Sequence, residues 1–208
     1  MSERYRGRVP TFSSMDLARI RAFDPISVTD QPRDAGVLIP IVERADGDSL
    51  LFTKRSTDLG KHPGQMSFPG GGHEPEDEDI EATALREAHE EIGLDPSEVD
   101  VVTRIDDIRT ITEYAVTPVV ARIPDREYTP DEHEVAEVVV VAVYDLLDPA
   151  NYEVEHRTHP EYGDVVVHYF HVDDYTIWGA TARILVQFLE LTTDWRAPEK
   201  MDRENRLA

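Results

Sequence analysis

Apolar positions along the chain follow two rhythms, which divide it into strands and helices. Residues 36–42 and 49–54 are nearly continuous apolar runs joined by the turn Ala45-Asp46-Gly47-Asp48, which predicts a hairpin of buried strands. Past Asp79 the spacing becomes helical: Ile80, Ala84, Leu85, Ala88 and Ile92 define one amphipathic helix, and Gly93 stands where a helix C′ glycine ends it. Residues 100–107, 111–113 and 115–123 read as strands, with Pro118 expected at a bulge or sheet edge because it has no N–H to donate. Residues 135–143 carry the pattern of a buried strand, 144–147 of a short helix, and 152–158 with 165–172 of a second hairpin. A closing helix is predicted over 176–191, with Ile184, Leu185, Phe188 and Leu189 as its apolar stripe. Upstream, Ser13 or Ser14 would cap a short helix reaching about Phe23, with Leu17, Ile20 and Phe23 toward the body.

No internal repeat and no long linker interrupts this order, so one α/β domain is expected. Its parts would be an arm and short helix over 1–30, the domain proper over 31–195 and a tail over 196–208. A mixed sheet between helices, an α/β/α sandwich, is what the order of elements permits, and 208 residues suffice to bury its core.

Charge changes the picture of the surface. Asp and Glu number 43 against 21 Lys and Arg, a net charge of −22, and lysine occurs only at Lys54, Lys61 and Lys200. Such a surface repels nucleic acid and anionic membrane, which excludes both as nonspecific partners. It suits a halophilic setting, where salt screens the mutual repulsion of the carboxylates. An acidic disordered chain is excluded by the periodic placement of the apolar 40%. There is no cysteine, and neither a leader-like run nor an apolar stretch of about 18 residues, so a cytoplasmic protein is expected.

The predicted helix after Asp79 carries the candidate chemistry. Glu87, Glu90 and Glu91 stand at i, i+3 and i+4, so their carboxylates converge over one turn and repel one another. A hard divalent cation reverses that sign, since Mg²⁺ or Mn²⁺ prefers carboxylate oxygen. Arg86, four residues before Glu90, is placed to hold a carboxylate at a fixed angle. In an acidic chain a glutamate pair alone is most simply a solvated face. An EF-hand is excluded, because residues 76–87 lack the sixth-position glycine and the alternating ligands.

The joint pattern of Gly72, Glu78, Arg86, Glu87, Glu90, Glu91 and Gly93, with Ala88, Ile92 and Leu94, is more specific. It resembles the Nudix box, G-x5-E-x7-R-E-U-x-E-E-x-G-U with U apolar, at every fixed position, Ala88 being a small occupant of its slot. The resemblance implies the Nudix α/β/α fold and a Mg²⁺- or Mn²⁺-dependent diphosphatase. One to three ions would be held by Glu87, Glu90, Glu91 and the Gly71 carbonyl, with Glu78 supporting the loop or an outer ion. Arg86 would orient the carboxylates. The general base is left open between a box glutamate and Glu134, with Glu132 and His133 as its neighbours.

A second signature precedes the box. Leu51, Thr53, Arg55, Leu59, His62, Gly64, Phe68, Pro69, Gly70 and Gly71 resemble the pattern of Nudix enzymes that cleave coenzyme A, with Phe52 departing from the second leucine. Trp178-Gly179-Ala180-Thr181-Ala182 looks like the same sub-family, and the two signatures cover about a fifth of the chain. Lys54, Arg55, Lys61 and His62 form a basic cluster within nine residues, with Asp58 the only acid. Such cations suit a polyanionic, coenzyme A-like nucleotide substrate. Arg55, Lys54, Lys61, His62 and Phe68 are therefore the substrate-binding candidates, His62 as a hydrogen-bond partner and not a metal ligand. The remaining histidines show no ligand spacing. The expected reaction splits coenzyme A into 4′-phosphopantetheine and adenosine 3′,5′-bisphosphate. A broader hydrolase of nucleoside diphosphates such as ADP-ribose is the alternative, and a non-catalytic nucleotide- or metal-binding regulator is the alternative of another class. A homodimer is left open.

Overall fold

The computed structural model describes residues 15–56, 64–159 and 163–198. In chain order the strands of the main sheet are β1 (Arg33–Arg44), β2 (Gly47–Arg55), β3 (Met66–Ser67), β4 (Gly70–Gly72), β5 (Asp100–Arg104), β6 (Ile108–Arg109), β7 (Tyr114–Ile123) and β8 (Val135–Ala142). A smaller sheet contains β9 (Tyr152–His159), β10 (Gly163–Val172) and β11 (Tyr175–Trp178). The helices are α1 (Ala18–Arg21), α2 (Ile80–Ile92), α3 (Val143–Leu146) and α4 (Gly179–Thr192).

The sheet is mixed. β1 pairs antiparallel with β2 and β4 but parallel with β7, from Arg33 opposite Tyr114 to Val42 opposite Ile123. Both faces of β1 are covered, which is why its sequence reads as a continuous apolar run and not as an alternation. Leu38 and Val42 meet Ala84, Ala88 and Ile92 of α2 on one side, together with Leu51 and Val119. Ile39 and Ile41 face the other side, where Phe52, Val120 and Phe170 pack with Ile184, Leu185, Phe188 and Leu189 of α4. Each such fully buried side chain contributes roughly 1.5–3 kcal/mol. The result is helix, sheet, then second sheet with helix, the three layers expected. At Gly36 the α2 backbone approaches so closely that an added Cβ would lie 2.6 Å from the Ile80 carbonyl oxygen. Helix and sheet can meet at that distance only over a residue without a side chain.

Several elements differ from the sequence expectation. Pro118 lies at neither an edge nor a bulge of its own strand, for β7 runs between β1 and β5. Its carbonyl accepts from Ile105 N, and a strand residue's N and O point the same way. The missing donor therefore faces the break between Arg104 opposite Val119 and Ile108 opposite Val116, where no ladder partner waits. Residues 111–113 form a turn, not a strand: Ile111 is 70% exposed and Glu113 takes φ 63°. The closing helix begins later than predicted, because Tyr175–Trp178 pairs with β10 as a strand and Gly179, at φ 67°, redirects the chain into α4. The first helix is a single turn, and its expected caps Ser13 and Ser14 lie outside the described residues.

Side chains tie the segments before β1 and after α4 to the body. Asp106 and Asp107 accept from the backbone amides of Ile26 and Val28 at 2.8 and 2.9 Å. Past α4 the chain stays attached through buried Ala197, whose amide donates to Glu190 at 3.0 Å.

Candidate active site

The site forms where the loop from Phe68 to Asp79 feeds α2. Asp79 caps that helix, its carboxylate accepting from Ala82 N at 2.9 Å. At the other end Gly93 takes φ 64° and its amide donates to the His89 carbonyl, while Leu94 N reaches Ala88 O. Capped at both ends, the helix holds Glu87, Glu90 and Glu91 on its last two turns. Gly71 lets the loop lie against them, since a Cβ there would overlap the Glu87 carboxylate.

Arg86 makes four hydrogen bonds and a further ion pair. Nε and Nη2 grip Asp77 at 2.9 and 3.2 Å, and Nη2 also donates to the Gly72 carbonyl at 2.9 Å. Nη1 reaches Glu90 Oε2 and Glu87 Oε1, each at 3.0 Å. Sequence reasoning placed Arg86 correctly beside the glutamates but missed Asp77. No fixed position of the box pattern falls on it, and its one-dimensional neighbours Glu76, Glu78 and Asp79 are equally acidic. Glu78 is exposed, and no hydrogen bond or ion pair joins it to Glu87, Glu90 or Glu91 among the described residues.

Burial dominates the electrostatics. Glu91 is only 5% exposed, and burial pushes its carboxyl up to about 8. The neighbouring Glu87 charge adds to the rise and Glu134 adds further, while Arg55 and a hydrogen bond from the Gly70 backbone oppose it. Glu87 is raised by its own burial, with Arg86 opposing. Asp77 is held far below the usual carboxylate range by Arg86, and Arg86 is raised correspondingly by Asp77.

The other candidates fall in different surroundings. Glu134 is exposed and lies within electrostatic reach of both Glu87 and Glu91. Arg55 lies within electrostatic reach of Glu91, whereas the Lys54 ammonium pairs with Glu137 at 3.6 Å and sits 5.4 Å from the centroid of the Tyr175 ring. Phe68 is a core residue, 3% exposed and stacked on Phe52 at 4.7 Å, so it anchors the loop from beneath and offers no surface to a ligand. Lys61 and His62 lie outside the described residues.

The donors fit a hard divalent ion. Glu91 Oε2 is buried without a hydrogen-bond partner among the described residues, a costly arrangement for a carboxylate unless a cation completes it. Yet no three His, Cys, Asp or Glu side chains among the described residues converge tightly enough to form a cage. Glu90 is instead turned toward Arg86. Glu87, Glu91 and the Gly71 carbonyl would hold the ion, with Glu90 able to join by exchanging its contact with Arg86.

The domain is a three-layer α/β/α sandwich that carries its carboxylate-bearing helix on one face of a mixed sheet. The chain belongs to the NUDIX domain family, whose profile matches residues 32–183. It is 39% identical over 157 residues to the uncharacterized Nudix hydrolase NudL of Enterobacter sp. (strain 638), covering 74% of this chain and 79% of the relative. It is 41% identical over 169 residues to Nudix hydrolase 22, chloroplastic, of Arabidopsis thaliana, covering 76% of this chain but only 54% of the plant protein. Among solved structures, the MutT/nudix family protein of Enterococcus faecalis shares the fold, with a TM-score of 0.52 at 15% identity, over 88% of this chain and 69% of that one. The chain is thus a Nudix hydrolase, of a family that acts on nucleotide diphosphates and generally uses Mg²⁺ or Mn²⁺. No helix among the described residues is long and apolar enough to cross a membrane.

Proposed function

We propose that this hydrolase cleaves the diphosphate of coenzyme A or its derivatives, releasing 4′-phosphopantetheine, or its acyl form, and adenosine 3′,5′-bisphosphate. The observation that carries the reading is Arg55. It belongs to the signature preceding the box, and its charge lies within electrostatic reach of Glu91 in a chain of net charge −22. A guanidinium beside the carboxylates supplies what a substrate with several phosphates requires: two parallel donors for phosphate oxygen.

When bound, a divalent ion would supply Lewis acidity, activating water and neutralising charge on the diphosphate oxygens. The chain's own residues do the rest. Glu87, Glu91 and the Gly71 carbonyl would supply the oxygens that hold the ion. Arg86 fixes Glu87 and Glu90. Glu134, exposed and within electrostatic reach of both glutamates, takes the proton of the attacking water, and Arg55 binds a phosphate.

The broader reading, a hydrolase acting on ADP-ribose or similar diphosphates, is favoured by one observation: Lys54 is engaged by Glu137 and Tyr175, leaving fewer cations for an additional 3′-phosphate. Product analysis across coenzyme A, its esters, 3′-dephospho-coenzyme A and ADP-ribose with Mg²⁺ and Mn²⁺ separates the two. A kcat/KM at least tenfold higher on coenzyme A than on ADP-ribose is expected. Equal values would favour the broader hydrolase.

A further inference from the structure

We infer that Asp77 is the positioning residue of this site, setting through Arg86 where the metal-facing carboxylates stand, in the supporting place that the box pattern alone would give to Glu78. A guanidinium offers two edges and an end, and which of them faces the glutamates depends on what holds the others. Asp77 takes the Nε/Nη2 edge by two nearly parallel bonds of 2.9 and 3.2 Å. That leaves Nη1 as the group turned to both Glu87 and Glu90. The second Nη2 proton reaches the Gly72 carbonyl, so the same cation also fixes the peptide between Gly72 and His73, one residue past Gly71. One carboxylate therefore orients Glu87, holds Glu90 beside it, and ties down the loop that bears the Gly71 oxygen.

Asp77 is itself built in. Its side chain is 5% exposed. Oδ2 accepts from Glu74 N at 3.0 Å and from the Thr83 hydroxyl at 2.8 Å, and the Asp77 amide donates back to the Glu74 carbonyl at 3.0 Å. Thr83 is wholly buried on the first turns of α2, and its hydroxyl, 2.8 Å from Asp77 Oδ2, is also hydrogen-bonded to His73 Nδ1 at 2.8 Å and lies 3.3 Å from the Asp79 carbonyl oxygen. His73, Thr83, Asp77 and Arg86 thus form one chain of hydrogen bonds joining the loop to the helix. Glu78, one residue on, is exposed and enters none of these bonds. Outer partners of this kind change metal affinity or activity by about ten- to a hundredfold when removed.

Mn²⁺ binding to the purified full chain, followed by electron paramagnetic resonance without substrate, tests the inference. Because no turnover is read, the result stands apart from the coenzyme A assignment: a chain that ignores coenzyme A can still bind Mn²⁺ in an Asp77-dependent way. Asp77→Asn should weaken Mn²⁺ binding about tenfold or more. The same variant should lower kcat more than it raises the substrate KM, on whichever diphosphate is cleaved. Asp77→Glu should recover part of the loss, and Glu76→Gln, an exposed neighbour, should bind like the parent. Where Asp77→Asn does not fold, Thr83→Val reads the same chain, with a loss of about three- to tenfold expected from one hydrogen bond. Parent-like Mn²⁺ affinity in folded Asp77→Asn, or in Thr83→Val, would overturn the inference. So would a loss in Glu78→Gln as large as that in Asp77→Asn.

Discussion

The amide of Asp131 donates to the carbonyl of Glu91 at 2.9 Å, so the last turn of α2 is spliced to the loop that carries Glu134. Glu134 N in turn donates to Asp131 O, and Glu134 O accepts from Ser56 N at 2.8 Å. A free carbonyl at a helix C-terminus is thereby used to fix the distance between the helix and its candidate base.

With its backbone held on both sides, Glu134 can be changed without moving the loop. Glu134→Gln is expected to cut kcat by roughly 10²–10⁴, the contribution of a general base, with an unchanged circular dichroism spectrum. A loss below about threefold would transfer the role to a box glutamate.

Glu91 sets a pH dependence of stability in the metal-free chain. Its folded pKa of about 8 lies above the ordinary 4.5, so between these values the native state holds a proton that the unfolded state has released. Stability therefore falls as pH rises through that window, by on the order of a few kcal/mol. Urea unfolding in EDTA at pH 5.5 and 8.5 should show the fall, and Glu91→Gln should flatten it while removing activity. Saturating Mn²⁺ should restore stability at the higher pH, because binding favours the ionised native form. A parent profile that rises over this range would contradict the burial argument.

Salt should stabilise the chain. Many of the acids are exposed, and raising KCl from about 0.1 M to about 1 M shortens the Debye length from about 10 to about 3 Å. The expected outcome is a higher Tm, read by calorimetry. A flat or falling Tm would leave the net charge of −22 without a role in stability.

Arg55→Ala discriminates the substrates. If Arg55 holds the 3′-phosphate, the change should lower kcat/KM on coenzyme A by about ten- to a hundredfold, equivalent to about 1.5–3 kcal/mol, and barely affect 3′-dephospho-coenzyme A. Equal losses on both would assign Arg55 to the diphosphate.

Periodicity by itself determined the carboxylate-bearing helix, because burial on one face demands Ala84, Ala88 and Ile92 at helical spacing whatever the sheet beneath is. The spacing of Glu87, Glu90 and Glu91 follows from the same geometry, and so does the cap at Gly93. The first hairpin was legible too, since strands covered on both faces read as unbroken apolar runs. What only the tertiary structure decided is which groups meet across the fold. Lys54 and Arg55 are neighbours in sequence, but the pairing of β2 sends the first to Glu137 and Tyr175 and the second toward Glu91. Phe68 looked like a ligand contact and became core, because the loop needs an apolar anchor on Phe52. Pro118 could sit inside the sheet only because its partner strand breaks opposite it. The choice between Asp77 and Glu78 turned on the loop's path, which aims one carboxylate at Arg86 and the next at solvent. Composition could not separate two adjacent acids, and the chain's three-dimensional course did.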